Sequence, residues 1–168
     1  MIYLITGNKG AGKTANLIRF VCEDDQFKGR PAYYINIRKC TVEGWTEIDK
    51  EQLQNWTDLP DGSVIIIDEV QKFFTTRSQK AAVPDYIMNL TDSRHRGFSF
   101  VTTCQFPTQL DTWFRKLVDI HWHLERPYNI GRIKVFEWST KSISDPVGDH
   151  FARQEANILK WKLTGSNE

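Results

Sequence analysis

No apolar run in the 168-residue chain approaches the ~20 consecutive residues that a membrane-spanning helix needs. A secretory leader is lacking too: residues 1–6 are apolar but have no basic start, and a glycine follows after a few residues. As given, the chain reads as soluble. Cysteine is scarce. Cys22, Cys40 and Cys104 are odd in number, widely spaced and without a C-x-x-C pair. This argues against a disulfide scaffold, offers no zinc pattern and points to free thiols in a reducing cytosol. A dominant sign of charge is missing, with 22 basic against 21 acidic residues and a formal net charge of +1. That balance leaves a nucleic-acid partner open, because a local basic patch fits inside a neutral total. Repeats, linkers and low-complexity tracts are absent, and the length suits one domain spanning residues 1–168.

What is present is an alternation of strand and helix patterns. Residues 2–6 read as a buried strand entering a glycine loop, and a helix follows from Lys13 with Leu17, Ile18, Val21 and Cys22 on one face. Residues 32–37 read as a strand. The polar stretch 41–59 is expected to hold one short helix. Residues 63–68 form a strand apolar on both faces, as central parallel strands are. Residues 73–83 lack periodicity and read as a loop. Pro84 then suits the first turn of a helix running to Arg96, with Gly97 as its terminator. Another buried strand is expected at 98–103 and a helix across Leu110, Trp113, Phe114 and Leu117. Segments 118–124 and 132–138 alternate around a turn-rich centre and read as a β-hairpin. The tail from Asp145 is ambiguous, with a final helix expected around 151–159. This order implies one α/β domain, a mostly parallel sheet flanked by helices and ending in a C-terminal β-hairpin.

The chemistry is concentrated at Gly7, Asn8, Lys9, Gly10, Ala11, Gly12, Lys13 and Thr14, which fit G-x-x-x-x-G-K-[ST] in full. Glycines let the backbone curl so that several N–H groups face phosphate oxygens, and the following helix adds its positive dipole end. Lys13 is the cation for the β- and γ-phosphates, and the Thr14 hydroxyl is a Mg²⁺ ligand. Lys9 is better read as a solvent-facing loop lysine, because the signature lysine of some P-loop ATPases stands one residue earlier, where this chain has Asn8. Residues 64–69, Val-Ile-Ile-Ile-Asp-Glu, have the form of a Walker B strand. Asp68 would hold the Mg²⁺ shell, and Glu69 would polarise an attacking water as general base. The two motifs make the expected α/β fold a P-loop NTPase, with ATP and Mg²⁺ as the expected cofactors. A GTPase is disfavoured, because no [NT]-K-x-D guanine-reading motif occurs.

Weaker candidates surround this set. Gln105 follows the third buried strand and suits a γ-phosphate sensor; the lesser alternative is a polar strand end before Pro107. Arg94 and Arg96, in Arg-His-Arg-Gly, suit a finger reaching a neighbouring subunit's nucleotide, against simple cation placement at a helix C-terminus. Arg77 is a weaker candidate of that kind. His121 and His123 share one strand face, but no third metal ligand stands near in sequence, which favours packing or surface roles. The six tryptophans are scattered and read as core or interface residues rather than a base-stacking motif.

In this order, the GxxxxGKT loop, the Walker B strand, Thr76-Arg77-Ser78, Ser93-Arg94-His95-Arg96-Gly97 before Phe98-Ser99-Phe100-Val101, and Gln105 resemble the zonular occludens toxin (Zot) family of filamentous phage assembly ATPases. The resemblance covers roughly residues 1–140. It implies an N-terminal ATPase domain on the cytoplasmic face of the bacterial inner membrane, driving extrusion of single-stranded phage DNA as the coat assembles. It also implies a homo-oligomeric ring, phage coat or assembly proteins as partners, and membrane anchorage through a segment that these residues do not contain. Two other readings stand beside it. One is a small-molecule kinase with residues 126–132 as its arginine lid. The other is a nucleotide-binding interaction module with little turnover.

Overall fold

Strand β1 (Ile2–Gly7) is buried over its full length, and every other strand is placed relative to it. The computed structural model describes residues 1–78, 81–126, 132–139 and 157–162. Its eight-stranded sheet adds β2 (Ala32–Ile35), β3 (Trp45–Glu47), β4 (Val64–Ile67), β5 (Ser99–Cys104), β6 (Ile120–Glu125), β7 (Arg132–Ser139) and β8 (Asn157–Lys162). The order is β3-β2-β4-β5-β1-β6-β7-β8. The first six strands pair in parallel. Strands β7 and β8 extend the sheet antiparallel. The hairpin expectation thus holds as β6–β7, and β5 separates the P-loop strand from the Walker B strand.

The central strands are apolar on both faces because both faces are covered. Ile2, Leu4, Ile65, Ile67 and Phe100 point into one core with Trp56, Phe74, Leu90 and Phe114. Residues of α2 (Lys50–Gln54), α3 (Asp85–Met88) and α4 (Thr112–Leu117) supply Leu53, Ile87 and Phe114 to that side. Tyr3, Ile5, Val64, Ile66 and Val101 point the other way, against Leu17, Phe20 and Val21 of α1 (Lys13–Glu23). Edge-on aromatic contacts of Trp56 with Phe98 and Phe100, at 5.0 and 5.2 Å, fix the first core.

Three local expectations are corrected. The helix expected from Pro84 to Arg96 stops at Met88, continues as a 3-10 segment over Asn89–Asp92, and unwinds to Gly97 at φ 72°. Thr91 and Ser93 hydroxyls donate to the carbonyls of Met88 and Leu90, at 2.9 and 2.6 Å. Such side-chain bonds compete with the helical ladder. Strand β3 was not expected, since three partly exposed residues carry no pattern of their own; it exists through its pairing with β2. At the C-terminus, 157–159 belong to β8 and not to a helix, because β7 offers a strand edge that satisfies their backbone. The rest of the expected tail helix lies outside the described residues.

Candidate functional site

The parallel order brings three strand ends together where ligand crevices form in such sheets. Gly7 ends β1, Asp68 follows β4, and Gln105 follows β5. The P-loop can begin at Gly7 only without a side chain. Its φ is +148°, and a Cβ there would stand 2.5 Å from the Leu124 carbonyl oxygen of β6. Gly12 takes φ 81° and hands the chain into α1. Ala11 N–H closes the turn on the Asn8 carbonyl at 3.1 Å. Among the described residues, the N–H groups of Gly10, Gly12, Lys13 and Thr14 have no protein acceptor. Unpaired donors of this kind, at a helix N-terminus, fit an anion.

A cleft of about 590 Å³ opens there, lined by Lys9, Gly10, Gly12, Lys13, Thr14, Ala15, Asp68, Glu69 and Gln105. That volume suits a nucleotide-sized ligand. Lys13 folds over the loop, its ammonium donating to the carbonyls of Gly7 and Asn8 at 2.8 and 3.1 Å. Burial lowers its pKa from the ordinary lysine value, against the opposing pull of Asp68, Cys104 and Glu69. Thr14 Oγ1 donates to Asp68 Oδ2 at 3.0 Å. A hydroxyl and a carboxylate converging on one point are the hard oxygen donors that Mg²⁺ takes, so this pair fits the ion.

Two residues of the site were not singled out in the sequence. Thr103 Oγ1 donates to Asp68 Oδ1 at 2.5 Å and accepts the Glu69 N–H at 2.9 Å. It is fully buried and locks both acidic residues to β5. The available signal was two successive threonines at the end of an otherwise apolar strand. Asn36, beyond β2, donates its amide to the Asp68 carbonyl at 2.9 Å and lies 3.5 Å from Glu69 Oε2. Glu69 itself sits in the left-handed region at φ 55° and forms an ion pair with Lys72. The Lys72 ammonium holds the Glu69 carboxyl below the ordinary glutamate pKa, outweighing burial.

The arginine candidates lie away from the cleft of their own chain. Arg94 and Arg96 stand at the opposite end of the sheet, before β5 begins. Arg94 pairs with the buried Asp119, whose other oxygen accepts the Ile2 N–H at 2.8 Å, and it lines a second cleft of about 340 Å³. Arg96 is bound to Asp61 at 2.6 Å, donates to the Thr57 carbonyl at 2.7 Å, and stacks 5.0 Å above Phe98. Arg77 donates to Asp111 at 2.6 Å and to the carbonyls of Ala81 and Ala82. This ties the loop after Walker B to the N-cap of α4. His121 and His123 are buried and flank the Thr6 hydroxyl at 2.7 and 2.9 Å. The proposed kinase lid falls largely on 127–131, outside the described residues. No helix among the described residues is long and apolar enough to cross a membrane.

The zonular occludens toxin (Zot) family model matches residues 1–165. The chain belongs to the Zot family. A phage protein named for assembly, ORF301 of Pseudomonas phage Pf3, is 30% identical to this Zot-family chain over 97% of its length. The chain spans 54% of that relative. The N-terminal domain of zonular occludens toxin from Neisseria meningitidis matches with a TM-score of 0.81 and 26% identity, over 97% of this chain and 94% of that one. The genome packaging NTPase B204 from Sulfolobus turreted icosahedral virus 2, solved with AMPPCP, matches at a TM-score of 0.65 and 13% identity, over 96% of each chain. That last likeness shows the P-loop NTPase fold alone.

Proposed function

We propose that this Zot-family domain binds Mg-ATP and hydrolyses it to power filamentous phage assembly and the export of single-stranded DNA through the inner membrane. The observation that carries the reading is the convergence of the P-loop, Thr14, Asp68, Glu69 and Gln105 on one cleft. Lys13 and the loop N–H groups bind the phosphates. Thr14 and Asp68 would hold the Mg²⁺, which supplies charge neutralisation on the β- and γ-phosphates. Glu69 orients and polarises the attacking water, and Gln105 senses the γ-phosphate from the neighbouring strand end. Family membership and the Pf3 relative support the assembly role, with coat or assembly proteins as partners and the cytoplasmic face of the membrane as its place.

Arginine donation belongs to the same proposal. Neither Arg94 nor Arg96 faces its own cleft, so a finger role for either requires a neighbour's nucleotide in a homo-oligomeric ring. Arg94 is the more exposed of the two, at 59% against 35%, and each is held in an ion pair in its own chain, Arg94 with the buried Asp119 and Arg96 with Asp61. The deciding experiment is phosphate release from ATP across a range of protein concentration, with Glu69→Gln as control. Specific activity rising with concentration, lost in Glu69→Gln with ATP binding retained, is the expected result. Absence of release at every concentration would refute the hydrolytic reading.

A further inference from the structure

We infer, on the reading that this domain moves single-stranded DNA, that β7 and β8 form the track for its backbone, with Arg132, Lys134, Lys160 and Lys162 meeting the phosphates. The chain as a whole has a formal net charge of +1. Its last two strands hold these four cations against one acid, Glu137. The register sets Arg132 opposite Lys162 and Lys134 opposite Lys160. Positions two apart on a strand share a face, as do positions directly opposite. All four cation positions therefore fall on one face, about 7 Å apart along the strands and about 5 Å across them. Glu137 falls on the other face, where it accepts the Trp122 indole N–H at 2.6 Å.

Folding by itself gives no reason for this grouping. Like charges directly opposite destabilise a sheet, and here two such pairs stand side by side. Lysines on an edge strand discourage unwanted pairing, which accounts for β8. It does not account for β7, which is paired on both sides, by β6 and by β8. The alternate positions Ile133 and Val135 are buried in the core beneath α1, so the cation positions lie on the face away from it. The core on that opposite side draws no described residue from either strand. Lys134 is exposed there, its ammonium 4.8 Å from the Phe136 ring. Glu125 of β6 stands opposite Lys134, and one acid against four cations leaves the patch net positive.

The patch lies at the nucleotide end of the sheet. Leu124 pairs with Gly7 at the start of the P-loop, and the next residue, Glu125, pairs with Lys134. Strand β6 alone separates the patch from the strand that carries the P-loop. Clustered cations hold phosphates without reading bases, as a carrier of any sequence must. An anionic membrane is the other polyanion to weigh. Surface binding to lipid adds inserted apolar side chains to the cations, and Phe136, the aromatic on this face, is buried.

The test is fluorescence anisotropy of a labelled oligothymidine of about 20 nucleotides, with Mg-AMPPCP saturating the P-loop so that no phosphate of the oligomer binds there. Four phosphate contacts give log affinity a slope on log salt of about −3, or about a 50-fold loss between 50 and 200 mM salt. Lys134→Gln with Lys160→Gln should halve that slope and weaken binding by about tenfold or more at low salt. The paired arginine substitutions at 134 and 160 should restore both, and Lys116→Gln, at the far end of the sheet, should change neither. A wild-type slope shallower than about −1 overturns the track without any variant. So does a glutamine pair that binds like wild type, or binding to phosphatidylglycerol vesicles through these lysines with none to the oligomer. Phosphate release from ATP is measured beside it. Release without oligomer binding overturns the track and leaves the hydrolytic reading standing; patch-dependent binding without release supports the track and sinks the hydrolytic reading instead.

Discussion

Replacing Thr103 by valine removes one hydroxyl and little volume, and that hydroxyl holds both acidic residues of the site. Two bonds are lost: the one given to Asp68 Oδ1 at 2.5 Å and the one accepted from the Glu69 N–H at 2.9 Å. A bond to a charged group contributes about 1.5–3 kcal/mol and a neutral one about 0.5–1.5 kcal/mol. Asp68 and Glu69 line an open cleft, where water replaces part of what is lost, so the low end of the sum applies, about 2 kcal/mol. For a domain of this size that corresponds to a fall in Tm of about 4–8 °C. Misplacing Asp68 and Glu69 by a fraction of an ångström should also lower kcat by about 10- to 100-fold. Thermal melting, Mg²⁺ titration and phosphate release would be measured beside Thr103→Ser, which keeps the oxygen. A valine variant that melts within about 1 °C of wild type with an unchanged Mg²⁺ dependence would refute the argument. So would a serine variant as impaired as the valine one.

Lys13→Ala should weaken Mg-ATP binding by about 100-fold or more, since charge-assisted bonds to the phosphates disappear; unchanged affinity by calorimetry would remove Lys13 from the site. Gly7→Ala should destabilise the domain outright, because the added methyl meets the Leu124 carbonyl oxygen at 2.5 Å and the φ of +148° disfavours any side chain; a melting curve like that of wild type would contradict the close approach. Acid stability should follow His121, whose pKa burial lowers to about 3, with His123 adding to the effect. Its folded pKa lies below the unfolded value of about 6.5, so stability is full above that value and declines as pH falls through the window toward 3. Melting temperature against pH between 5 and 6.5, above the carboxylate range, should slope less in His121→Gln than in wild type; equal slopes would show that His121 is not the titrating group.

Local signals were strong where one residue type has one use. The GxxxxGKT loop was legible because its glycines permit backbone conformations closed to other residues, and Gly7 and Gly12 adopt them. Strands β1, β4 and β5 were legible because burial on both faces demands mostly apolar runs with little alternation. The β6–β7 hairpin showed through its alternation. The reading faltered where short polar segments took their structure from neighbours, as at β3 and in the turns after Met88.

The sequence by itself determined the fold class, the family and the loop proposed to meet phosphate, because those are fixed by residue chemistry at close spacing. Only the tertiary structure decided which distant groups hold the acidic residues of the cleft. Thr103 faces Asp68 because β5 lies beside β4 in the register Ile67↔Thr102. Asn36 reaches Asp68 and Glu69 because β2 flanks β4 on its other side. The same topology sends Arg94 and Arg96 to the far end of the sheet, away from the cleft of their own chain. Hydrogen bonds depend on distance in space, and residues dozens of positions apart meet only after the sheet has set its strand order.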